Sequence, residues 1–312
     1  VALPEGQVTL NGDGTVTITV GASLAAGQTG QLTVRRADNG LLTPIGVTLT
    51  HAGPGTVRQV YPRDSGVSPD NVTTFTSIQE AVDAANPGDL VLVAPGNYYE
   101  NVVLWKPLRL QGAGAGTYAT GAGSVIHANP VPTERAQQWI DKIETVLGGN
   151  PFEANSTPGI IVIGNSLLPN SGSFAATPSR IDGFTISGST TGGGIEVYHL
   201  ATNLRISNNR IIGNQGAFGG GITLGMSDAL GTLYDNAGVT IQSNQILKNG
   251  SINAAGGIAV FNGSENYKIL DNIIAGNFSR GNGGGIGHEG VSRGGLIANN
   301  QIVNNEVFYG LA

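Results

Sequence analysis

The chain has 312 residues with 15 Lys and Arg against 21 Asp and Glu, a net charge of −6, and no cysteine. That balance opposes a phosphate-binding surface, so nucleic acid is excluded as a partner, and the missing cysteine removes disulfide frameworks, thiolate metal sites and thiol nucleophiles together. Fifty glycines beside 39% hydrophobic and only 12% charged residues describe a chain of short strands and tight turns, and no stretch approaches the roughly 20 apolar residues that cross a bilayer.

Residues 1–52 alternate short Thr- and Val-rich runs with turns: VTL at 8–10, TVTITV at 15–20, QLTVRR at 31–36 and IGVTLT at 45–50. The period-two run and the hairpin chemistry of Asn11-Gly12-Asp13-Gly14 predict a small β-sandwich-like segment. It resembles the immunoglobulin-like or cadherin-like repeats of large surface proteins. NGDG also opens like a calcium loop, but the spaced carboxylates such a loop needs do not follow. Residues 53–74 are rich in Pro, Gly and Asp and are expected to be a linker.

A short helix is predicted next. Ile78, Ala81, Val82 and Ala85 make one apolar face, Thr76 or Ser77 can cap it, and Asn86-Pro87-Gly88 stops it. The stretch TSIQEAVDAANPGDLVLVAPGNYYENVVLWKPLRLQGAG resembles the opening of pectate-lyase-like right-handed parallel β-helix proteins. The resemblance implies that the helix covers the N-terminal end of a solenoid spanning 75–312. It is specific for fold and weak for function, since the fold hosts lyases, hydrolases, epimerases, adhesins and inert stalks. Downstream, TERAQQWIDKIETVL at 133–147 predicts a second helix lying on the flank of that solenoid, with Trp139, Ile143, Val146 and Leu147 near one face.

The second half repeats. Asn-x-Ile recurs at Asn209, Asn244, Asn272 and Asn300, and a second Asn follows each Ile by three, at Asn214, Asn249, Asn277 and Asn305. Gly-Gly-Ile keeps the same step at Ile195, Ile222, Ile258 and Ile286. Such a period of short strands and Gly turns is the mark of stacked coils with a shared core. In register, Ile206, Ile241, Ile269 and Ile297 form one inward row and Ile211, Ile246, Ile274 and Ile302 another, while the Asn columns are expected to hydrogen-bond the bends. The chain stops just after a repeat unit, so it reads as a piece of a longer one, truncated at its C-terminal end.

Motifs for chemistry are scarce. Gly112-Ala113-Gly114-Ala115-Gly116 lacks the helix of a dinucleotide fingerprint, and His288-Glu289 has Ser292 where a zinc-protease helix needs a second His. Asp182, Asp228, Asp235 and Asp271 do not share a column, and no Asp-Asp pair exists for inverting hydrolysis. No catalytic residue, metal or cofactor is therefore assigned. A binding surface is easier to draw. The outward neighbours of the Ile195 row are Glu196 and Tyr198, and Phe261 and Glu289 lie further along the same face. Exposed aromatics there would suit sugar stacking. The expected function is a non-catalytic structural or adhesive module of a secreted or cell-surface bacterial protein, with polysaccharide or other surface proteins as partners. The competing expectation is a carbohydrate-active lyase or epimerase acting on uronans.

Overall fold

The computed structural model describes residues 8–10, 16–18, 29–35, 38–40, 42–50, 56–116, 123–129, 133–148, 157–225 and 235–308. Of the N-terminal segment, Val8–Leu10 pairs antiparallel with Val16–Ile18, and Thr29–Arg35 with Leu42–Thr50. The NGDG turn between the first two strands, and with it the calcium reading, lies outside the described residues.

From Val57 onward every strand-to-strand pairing is parallel, and the chain winds through three long sheets, returning to each once per coil. The first coil runs Leu90–Val93, Gly96–Tyr98 and Val102–Leu104, one strand for each sheet. Six more coils stack below it, and the last described strands are Leu296–Ala298, Gln301–Val303 and Glu306–Val307. A short fourth sheet, opening with Gln215–Gly216, fills the bend between the second and third sheets in the lower coils. Parallel crossovers take the right-handed sense. The architecture is thus the expected right-handed parallel β-helix.

The predicted rows are in register. Ile206, Ile241, Ile269 and Ile297 are successive partners in the first sheet, and Ile211, Ile246, Ile274 and Ile302 in the second. Except in the last coil these side chains have no solvent exposure, and each contributes roughly 1.5–3 kcal/mol of burial before entropy is subtracted.

Both Asn columns hold the corners. Asn244 Oδ1 accepts from Asn209 N at 2.9 Å and Asn209 Nδ2 at 3.1 Å, while Asn244 Nδ2 donates to Ile206 O at 2.9 Å. Asn249 does the same beneath Asn214 and reaches Ile211 O. The residue before each first-column Asn turns left-handed: Asn208, Ser243, Asp271 and Asn299 have φ near +56°. A non-glycine residue tolerates that conformation best when short and polar, and three of these four are Asn or Asp.

The first helix, α1 (Ile78–Ala84), is capped by Ser77 and buries Ile78, Ala81 and Val82 against Val60 and Phe75, closing the top of the core. The expected linker differs from the sequence reading. Within it Val57–Val60 pairs parallel with Leu90–Val93, and Thr74–Phe75 pairs with Val57–Val60, so the solenoid begins there. The strand escaped notice because its inward residues are Arg58 and Val60. Arg58 is tolerated inside since its Nε meets Asp89 Oδ2 at 3.2 Å and its Nη1 donates to Val72 O.

Candidate functional site

In the third sheet the outward-facing residues of six successive coils are Val103, Ile161, Glu196, Thr223, Ala259 and Gly287. A sheet face that looks away from the core would ordinarily be wet, yet most of this one is covered. The second helix, α2 (Thr133–Leu147), lays Trp139, Ile143 and Val146 over Val103, Ile161, Ile163 and Tyr198. Further down, Ala254 and Ala255 from the turn before the strand pack against Ala259 and Phe261.

This covering corrects the sugar-stacking surface expected from the sequence. Tyr198 is 3% exposed and Phe261 is 2% exposed, so neither ring offers a face to a ligand. Tyr198 belongs to the α2 contact, beside a register shift between Val162 and Ile163, and Phe261 meets Phe218 edge-on at 6.1 Å. Alternation along the strand placed both rings on the outer face; it carried no information about what lies on that face.

Glu196 and Glu289 also do not converge. Glu289 follows the strand Ile286–His288, donates its N–H to Val260 O, and takes a 3.4 Å contact from Asn282 Nδ2. Three coil steps of about 4.8 Å and two residues along the strand put the two backbones about 16 Å apart. Carboxyl pairs that hydrolyse glycosides stand roughly 5–9.5 Å apart. His288 pairs in register with Val260, is exposed in the sixth coil and lies 3.2 Å from Tyr267 Oη through Nδ1.

Glu196 itself is half-buried between Ile161 and Thr223, and burial pushes its carboxyl up to about 8. His199, three residues on, is driven the other way by the same cause, its imidazolium disfavoured by desolvation.

The other buried carboxylates are occupied by fastening. Asp89 accepts from Thr56 N, Asn86 N and Arg58 Nε. Glu100 accepts from Ser77 Oγ, Ile78 N and Gln79 N at 2.8–3.1 Å, tying the first coil to α1, although burial still raises its pKa. Asp182, fully buried, accepts from Thr48 N at 2.7 Å, Thr48 Oγ1 at 2.6 Å, Ser207 Oγ at 2.6 Å and Asn208 Nδ2 at 2.8 Å. It thereby holds the N-terminal strand Leu42–Thr50 on the outside of the first sheet. Nothing in the spacing of the aspartates pointed to that role, because the partners are 25 to 134 residues away.

Among the described residues no cluster of three or more His, Asp or Glu has the geometry of a metal site, and no helix is long and apolar enough to cross a membrane.

No family model matches the chain. A cell surface glycoprotein of Methanothermus fervidus is 31% identical over 100 residues, which is 30% of this chain and 16% of that relative's length. Among solved structures, a pectin methylesterase from Aspergillus niger aligns over 82% of this chain and 88% of its own, at 12% identity and a TM-score of 0.33.

Proposed function

We propose that this β-helix is a non-catalytic structural or adhesive module displayed outside the cell. The observation that carries this reading is the use made of the buried carboxylates: Asp89, Glu100 and Asp182 each satisfy three or four donors of cap, turn or N-terminal strand, which makes them rivets of a rod. Two continuous Asn ladders along the same rod add stiffness, since each amide serves the coil above it. The similarity to a cell surface glycoprotein supports the location, and because that relative is archaeal the reading does not depend on a bacterial source. Polysaccharide or neighbouring surface proteins are the partners such a module would meet.

A second reading, uronan lyase or epimerase chemistry, has one observation in its favour: Glu196 holds a proton near neutral pH on the outer face of the third sheet. The two separate in one assay. The protein is incubated with polygalacturonate, alginate and their methyl esters, with and without calcium, while absorbance of unsaturated products is followed. No product is expected. Product that disappears in Glu196→Gln would overturn the structural reading in favour of the enzymatic one.

A further inference from the structure

The sequence holds five Asn-x-Ser/Thr triplets, which begin at Asn71, Asn155, Asn249, Asn262 and Asn277. Such a triplet is the acceptor for N-linked oligosaccharide: the Asn amide takes the sugar, and the hydroxyl two residues on marks it for the transferase. Place in the fold decides which triplet can serve, since a sugar on the amide must project into solvent once the chain is folded. Asn155 lies outside the described residues.

Three of the remaining four are consumed by the coils. Asn249 and Asn277 belong to the second Asn column and are 1% exposed or less. Asn249 Nδ2 donates to Ile211 O at 2.9 Å and Asn277 Nδ2 to Ile246 O at 2.9 Å, so a sugar on either nitrogen would break a corner of the core. The hydroxyls that follow, on Ser251 and Ser279, are buried as well. Asn262 is half-buried and its Oδ1 accepts from Val291 N at 2.7 Å, while Ser264 has no solvent exposure.

Asn71-Val72-Thr73 is placed differently. Every residue from 63 to 73 is exposed, and the triplet lies at the end of this loop, just before Thr74–Phe75. Asn71 turns left-handed, with φ +57°, a conformation that Asn tolerates. Its surroundings hold the backbone: Asn71 N donates to Thr74 O at 3.0 Å, Gln59 N to Thr73 O at 2.7 Å, and Arg58 Nη1 to Val72 O. The Thr73 hydroxyl donates to Asp70 Oδ2 at 2.7 Å, a contact between two exposed side chains that water or a transferase can replace. The main chain is thus fixed to the first strand of the solenoid while Asn71 and Thr73 stand at the surface.

We propose that Asn71 carries an N-linked oligosaccharide and that Asn249, Asn262 and Asn277 do not. The sugar would stand beside Thr74–Phe75, beyond which no described strand of the first sheet lies, and a bulky hydrated group there keeps an open edge from pairing with another chain. The assignment rests on the extracellular placement proposed above, because this modification belongs to exported chains.

The test uses the full chain purified from the cells that produce it. Peptides are read by mass spectrometry, and a membrane-impermeant amine label on intact cells reports separately whether the chain is outside. The peptide carrying Asn71 should be heavier by an oligosaccharide, and that mass should be lost in Asn71→Gln and in Thr73→Ala but kept in Thr73→Ser, which retains the hydroxyl. An unmodified Asn71 peptide, an oligosaccharide that survives Asn71→Gln, or one found on Asn249, Asn262 or Asn277 would overturn the assignment. A labelled chain with Asn71 bare overturns the sugar alone, whereas a chain that the label never reaches and whose Asn71 is bare overturns the extracellular placement with it.

Discussion

The capped first coil of the solenoid and its last described coil have different surroundings. At the top, α1 and the strands Val57–Val60 and Thr74–Phe75 bring Val60, Phe75, Ile78, Ala81 and Val82 to 2% exposure or less. In the last described coil, Ile297 and Ile302 are 44% and 47% exposed, although their row-mates Ile269 and Ile274 one coil above are fully buried. Residue type and register are identical, so burial here is a property of the neighbour. Each coil draws its stability from the interface it shares with the next.

That comparison can be broken at three levels. The largest effect should come from Ile246→Ala, which opens a cavity between two stacked coils and should cost about 3 kcal/mol, whereas Ile302→Ala should cost less than about 1 kcal/mol. Equal losses in denaturant unfolding would refute the neighbour argument. Next is Asn244→Ala, which removes the partner of Asn209 N and of Ile206 O inside the corner, leaves Asn209 Nδ2 only its bond to Ile181 O, and should cost about 2 kcal/mol. Asn300→Ala, at the partly buried foot of the same column, should cost about half of that. The smallest effect concerns the sheltered outer face. Glu196 has a folded pKa of about 8 against an ordinary value of 4.5, so the folded state keeps the proton and its contribution to stability is lost as pH rises through that interval. Glu196→Gln should match the parent protein below pH 4.5 and exceed it by about 1 kcal/mol above pH 8, the figure being reduced because the group is half-exposed. A stability difference independent of pH would show that Glu196 is not desolvated.

What could be read in the sequence followed from repetition. The Ile rows, both Asn columns and α1 with its Ser77 cap were legible because each is a local pattern repeated or bounded by strong signals. The α2 helix was legible as a helix, and even its flank position was expected. The candidate site was not. Whether Tyr198 is exposed depends on α2, which lies more than 50 residues away in the chain, and Phe261 is covered by Ala254, Ala255 and Phe218, contacts that leave no periodicity in the strand itself. Val57–Val60 was missed for a different reason: an inward Arg58, paired with Asp89, has no place in an apolar template.

The Asp182 anchor has a mechanical consequence. The strand Leu42–Thr50 is attached to the third and fourth coils, well below the cap through which the covalent chain enters at Val57. A pull on the N-terminal strands is therefore met first as shear on the side wall, shared between a carboxylate and the two coils bonded to it. The cap and α1 are loaded only once that attachment slips.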